Sequence, residues 1–173
     1  AGTVDAYKLT SEKATTEEYA QKNKYPHSLF VADYAVTKDV SRDALNTVNL
    51  IFGKDYAASG VDYTLRAPSV GSDRTGLNES QRGTPQSNEW DKLLDKNDGY
   101  IKNWKRMASW GQDTRPDNST PFRAVRGFHS ARGWEFNSSS YQNGILGFRP
   151  VLEVLNPDTL DADGLKAVTL ALG

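Results

Sequence analysis

Two histidines, no cysteine and a surplus of carboxylates bound the chemistry open to this 173-residue chain. Without thiols there is no Cys nucleophile, no disulfide and no thiolate metal site. With only His27 and His129, a multi-histidine metal site is excluded, and a Ser-His-Asp arrangement would have to recruit one of these two. His27 follows Pro26 in a turn and His129 lies outside any catalytic motif, so both read as solvent-facing or ligand-contacting residues rather than general bases. Glu17/Glu18 and Asp161/Asp163 could be paired carboxylates or calcium ligands. The run Asp158-x-x-Asp161-x-Asp163-Gly164 lacks the alternation and terminal Glu of an EF-hand loop, however, and reads as a solvated acidic turn. No glycine-rich phosphate loop occurs. The sequence therefore assigns no catalytic residue, calls for no cofactor and leaves metal binding open.

Binding chemistry is better represented. Between Tyr100 and Trp134, cations alternate with aromatics: Lys102, Trp104, Lys105, Arg106, Trp110, Arg115, Arg123, Arg126, Arg132 and Trp134. Such interleaving can grip single-stranded nucleic acid, but Asp98, Asp113 and Asp117 offset it and the whole chain has a formal net charge of −1. Guanidinium groups stacked over aromatics at the rim of a core account for it better, so nucleic acid is not expected as a partner. The segment 128–143 differs. Four aromatics and six Ser/Asn residues share one stretch without helical or strand period, a composition that couples contact area at low entropy cost with adaptable hydrogen bonding. Its candidate ligand-binding residues are Phe128, His129, Ser130, Arg132, Trp134, Phe136, Ser138, Tyr141 and Asn143, of which Trp134 is the one expected to bury.

Elements must position that segment. Residues 11–23 are helix-compatible, with Ser11 as N-cap and Pro26 as terminator, and residues 29–36 read as a strand. Ser41 caps a second helix with Ala44, Leu45, Val48, Ile51 and Phe52 at helical spacing, ended by Gly53. Residues 61–66 read as a strand and 68–86 as a long polar loop; Ser87 or Asn88 caps a short helix carrying Trp90, Leu93 and Leu94. Residues 122–126 form a strand with Phe122 and Ala124 on one face and Arg123 and Val125 on the other. Residues 145–155 form another, in which Pro150 implies an edge or a bulge. Helices in the first half and strands in the last third point to an α+β domain.

The order of four motifs resembles the formylglycine-generating-enzyme subtype of the C-type lectin-like fold. They are an opening strand at 30–37; Tyr63-Thr-Leu-Arg-Ala-Pro-Ser69 followed, after an insertion, by Asn88-Glu-Trp-Asp91; Arg123-Ala-Val-Arg-Gly127; and Gly147-Phe-Arg-Pro-Val-Leu152. The resemblance implies helices packed on small antiparallel sheets with long loops, over residues 29–155. It makes 1–28 an N-terminal extension and 156–173 a tail or the start of a linker to a further module. Oxidase members use active-site cysteines that this chain lacks, and Phe128 replaces the second Gly of the usual "R-G-G-S-W". The resemblance is therefore to non-catalytic members, among them the variable proteins of diversity-generating retroelements and bacterial surface modules. These imply an extracellular, cell-surface or virion-surface location and a protein or glycan partner bound through 128–143, or else a structural or adhesive spacer.

Hydrophobic residues make up only 37% of the chain, but aromatics reach 10%. A folded domain rich in large rings fits this balance better than disorder. No stretch approaches the ~20 apolar residues of a membrane span, so membrane insertion is not expected.

Overall fold

A computed structural model describes residues 7–8, 28–58, 60–77, 81–114 and 121–154. Among the described residues, twelve short strands and two α-helices form an α+β arrangement dominated by small sheets. The first sheet has the order β1 (Tyr7–Lys8), β2 (Ser28–Val31), β12 (Val151–Val154), β5 (Val61–Arg66), β4 (Lys54–Ala58). The second has the order β10 (Trp134–Ser138), β9 (Phe122–Gly127), β8 (Ala108–Thr114), β11 (Leu146–Phe148), β3 (Thr37–Lys38). Strands β6 (Asp73–Thr75) and β7 (Arg82–Thr84) form a separate hairpin. Helix α1 spans Arg42–Thr47, α2 spans Glu89–Lys96, and a 3₁₀ turn follows at Asp98–Tyr100.

The period-two rule assigns the faces. In the first sheet Val151 pairs with Val31 and with Arg66. These face a core of Val70, Trp90, Leu93, Leu94, Ala124 and Trp134 that lies between the two sheets and under α2. Phe30, Leu152, Tyr63 and Val154 occupy the opposite face in a smaller cluster. In the second sheet Ala124 joins the inter-sheet core, while Val125 joins Trp110, Leu146, Phe148 and the α1 residue Leu45 on the other side. The predicted split of Ala124 and Val125 between faces is thus observed. Trp90, Trp110 and Trp134 are all buried, and each indole N–H has an acceptor: the carbonyls of Ala131, Val40 and Gly71. That satisfaction lets a core with few aliphatic residues close over large rings.

Several sequence expectations hold. Ser41 Oγ accepts from Ala44 N at 3.1 Å and Asn88 Oδ1 from Asp91 N at 2.9 Å, so both helices start where expected. Strand β5 has the predicted bounds.

Others need correction. Helix α1 stops at Thr47, because Asn49 turns left-handed (φ 61°), which leaves Val48 and Phe52 exposed instead of on a buried stripe. The strand expected at 29–36 ends at Val31, and the chain then crosses to the second sheet as β3. The long loop at 68–86 contains the β6–β7 hairpin, invisible to periodicity because the β6 side chains are all exposed. The single strand expected at 145–155 is two strands in different sheets, and Pro150 sits at the crossing. It marks neither an edge nor a bulge: β12 lies between β2 and β5. The helix expected at 11–23 and the tail at 156–173 lie outside the described residues.

Candidate functional site

Residues from the quoted sequence motifs converge around Trp90. Arg66 from β5 donates to Glu89 at 2.6 and 2.9 Å and to Glu153 of β12 at 3.3 Å, all three groups being buried. Glu153 is reachable because Val151, two residues before it, is Arg66's register partner, which makes the pair a diagonal neighbour on one face. Arg126 from β9 donates to Asp91 at 2.6 Å, with both side chains fully buried. Arg149 is buried and meets no carboxylate among the described residues; its guanidinium donates to the carbonyls of Ala32, Asp33 and Lys102 and to Asn103 Oδ1. Burial pushes its pKa down to about 10, with the Asp33 charge pulling the other way. The guanidinium carbons of Arg126 and Arg149 lie 5.8 and 5.5 Å from the Trp90 ring centroid. These arginines and carboxylates are consumed in holding sheets, helix and turns together.

Asp91 is the hub of that frame. Besides Arg126 it accepts from Gly83 N at 2.7 Å and Asn88 Nδ2 at 2.7 Å, and Arg132 reaches it at 3.4 Å. Gly83 admits this approach because a Cβ there would collide with the Val70 carbonyl. One helical turn on, at the i+4 position that shares its face, Asp95 accepts from Arg132 at 2.7 Å and from both terminal nitrogens of Arg82 at 2.5 and 2.8 Å. Hydrogen bonding from Arg82, with Arg132 adding to it and partial burial opposing, holds the Asp95 carboxyl down at about 2. The β9–β10 turn and the β6–β7 hairpin are therefore fastened to one face of α2. A third tie joins the same parts: Gln81 Oε1 accepts the Trp134 backbone N–H at 2.9 Å.

On this frame the nine predicted binding residues separate into three groups. At the β9–β10 turn, Phe128 is half-buried and takes φ 85°, a left-handed conformation that costs a non-glycine residue about 1–3 kcal/mol. Two hydrogen bonds hold it there, Phe128 N to the Trp104 carbonyl at 2.8 Å and Arg106 N to the Phe128 carbonyl at 2.9 Å. Gly127 before it has φ 100°, and a Cβ there would lie 2.9 Å from the Met107 carbonyl. His129 is exposed, its ring edge-on to Phe128 at 4.6 Å. The Ser130 carbonyl closes the turn by accepting from Gly133 N, and Arg132 is held by Asp91 and Asp95.

The second group lies on β10, which corrects the expectation of one aperiodic loop through 128–143. Trp134 is 1% exposed and belongs to the core, as its size suggested, so it offers no surface for a ligand. Phe136 shares its face and packs at 6.0 Å on Trp134 and 5.4 Å on Phe122, with 37% of its surface exposed. Ser138 ends the strand with its hydroxyl 3.1 Å from that of Ser140. The third group follows the anchoring of Ser139 to α1, where the Ser139 carbonyl accepts from Asp43 N and its hydroxyl donates to Asp43 Oδ2. Helix α1 packs on the Val125 face, so this segment leaves on the opposite side of the sheet from Phe136. There Tyr141 is exposed, and Asn143 donates to its hydroxyl at 2.9 Å while accepting from Ile145 N.

Comparison with family models, with curated proteins and with solved structures finds no match for this chain.

The sequence reading placed Asp91 in a motif without giving it a role and passed over Asp95 and Gln81, although all three position the turn. The Asp91/Asp95 spacing on a capped helix was available as a signal that two carboxylates share one face; Gln81 lies in a polar stretch that gives none. Among the described residues no group of three or more His, Asp or Glu side chains is placed to hold a metal ion, and no helix is long and apolar enough to cross a membrane.

Proposed function

We propose that this chain is a non-catalytic recognition domain of C-type lectin-like architecture, which presents the rim formed by the β9–β10 turn and the segment after β10 to a protein or glycan at a cell or virion surface. The observation that carries this reading is a division of labour. The buried charges Arg66, Glu89, Asp91, Arg126 and Glu153 are held in ion pairs, while His129 and Tyr141 stay exposed on turns pinned at both ends. A rigid frame beneath substitutable turns suits binding. The motif order supports the fold assignment, because the residues that carry it, Arg66, Glu89, Trp90, Arg126 and Arg149, meet in one place. Phe128, His129, Tyr141 and Asn143 are the contact residues in this reading; Trp134 is structural, and Arg132 is a positioning residue.

A screen of the full chain against arrayed glycans and surface proteins tests the proposal. Any partner found should be lost on combining His129→Ala with Tyr141→Ala while the fold is retained. A partner bound equally well by that double variant would instead favour the structural or adhesive spacer.

A further inference from the structure

The loop that abuts the proposed recognition turn is electropositive in a chain of net charge −1. Segments 97–107 and 127–133 together carry Lys102, Lys105, Arg106 and Arg132 against the single acid Asp98. Lys102 is paired with Asp33 at 3.0 Å and Arg132 with Asp91 and Asp95. Lys105 and Arg106 are exposed and form no ion pair among the described residues. Beneath the same loop lies Arg149, whose guanidinium is partnered by carbonyls and Asn103 and, among the described residues, by no carboxylate, with its Nε left without a partner among them.

The loop is also held in shape. Asn103 takes φ 45° and Arg106 φ 55°, both left-handed. Asn103 Oδ1 accepts from Ala35 N and from Arg149, Arg106 N donates to the Phe128 carbonyl, and Lys105 is bridged to Phe128. Two exposed cations without an ion pair among the described residues thus sit on a pinned loop hydrogen-bonded to the turn that bears Phe128 and His129. Preorganised cations of this kind bind anions with little ordering cost.

We infer that this junction binds an anionic glycan, a sugar chain bearing sulfate or carboxylate groups, with Lys105 and Arg106 as its anion contacts. The inference rests on the recognition reading and names the ligand class for the same rim. Within the junction itself the exposed groups are charged or polar and no large hydrophobic residue is exposed in 97–107 or 127–133, so an anionic sugar chain is the ligand that its cations fit, with an acidic protein as the rival the test must exclude. In the adjoining turn Tyr34 is exposed and the Lys102 ammonium lies over its ring, 5.5 Å from the centroid, so a third cation is held at the edge of the same loop.

The test is calorimetric titration of the full chain with a heparin octasaccharide, an oligouronate, an uncharged dextran fragment and an oligoglutamate peptide. At least one of the two charged oligosaccharides should bind, with affinity falling as salt is added, while dextran and oligoglutamate should not. Lys105→Ala with Arg106→Ala should weaken that binding by about tenfold or more, whereas Lys54→Ala on the far edge of the first sheet should change it less than about twofold. The inference is overturned if neither charged oligosaccharide binds, if the double variant binds as the parent does, or if oligoglutamate binds as tightly as the sugars. The relative strength of the heparin and uronate arms tells sulfate from carboxylate. Capture of an uncharged or cationic partner that is lost in Phe128→Ala/His129→Ala but kept in Lys105→Ala/Arg106→Ala would sink the anionic ligand and leave the recognition reading standing.

Discussion

Arg126 and Arg132 belong to one hairpin and share one carboxylate, yet they do different work. Arg126 is 0% exposed, and its guanidinium is spent on Asp91 and on the Val70, Arg132 and Gly133 carbonyls. Arg132 has its side chain 16% exposed, touches Asp91 only at 3.4 Å, and makes its better contact with Asp95, whose side chain is 42% exposed. The inner pair joins the second sheet to a helix in a medium where an uncompensated charge is costly; the outer pair clips a turn to a helix in a medium that water and salt screen. Stability and positioning are thus separated by one turn of α2.

The comparison breaks most visibly at its inner end. Asp91→Ala strands Arg126 and removes the acceptor of Gly83 N, so it should cost about 3–5 kcal/mol in denaturant unfolding. A loss under about 1 kcal/mol would mean that Arg126 finds water or another partner. Trp134→Ala should fall in a similar range, about 3–5 kcal/mol, against a smaller loss for the partly exposed Phe136→Ala, measured the same way.

At the outer end the effects are smaller and depend on conditions. Asp95→Asn should cost less than about 1 kcal/mol, and the cost should shrink as salt is added. The pH dependence has a defined sign. The folded carboxyl titrates at about 2 against an ordinary 3.8, so its contribution is complete above the ordinary value. It disappears as pH falls through about 2, and an acid titration of parent and variant should converge across that window. Hydrogen exchange should show residues 128–133 and the β7 residues 82–84 loosening together in Asp95→Asn, since both are fastened there. The smallest changes belong to His129→Ala and Tyr141→Ala, each expected within about 0.5 kcal/mol of the parent.

How much of this could be read from the chain depends on which residues had a local signature. Ser41 and Asn88 carried one, since a capping side chain serves its own helix, and β5 carried another in its run of β-branched and aromatic residues. The division of 145–155 had none. Leu146, Phe148, Val151 and Leu152 are buried in both sheets, so a continuous apolar run hid the crossing at Pro150. The β6–β7 hairpin was hidden for the opposite reason, its polar residues having no buried face to impose alternation. Within 128–143, composition pointed to exposed contact residues and to Trp134 as the one to bury. It could not show that the pleat of β10 and the Ser139 anchor would put Phe136 and Tyr141 on opposite sides of a sheet. Nor could it show that Arg132 would be held by Asp95, because that contact joins positions 37 residues apart.

The separation of frame from rim is tested most directly by measuring thermal unfolding and partner binding on the same three proteins: the parent, Asp91→Ala, and His129→Ala combined with Tyr141→Ala. The account predicts that the rim variant keeps the parent's Tm and loses binding, and that Asp91→Ala loses Tm by several degrees or more. A rim variant that binds as the parent does, or that unfolds together with Asp91→Ala, would contradict it.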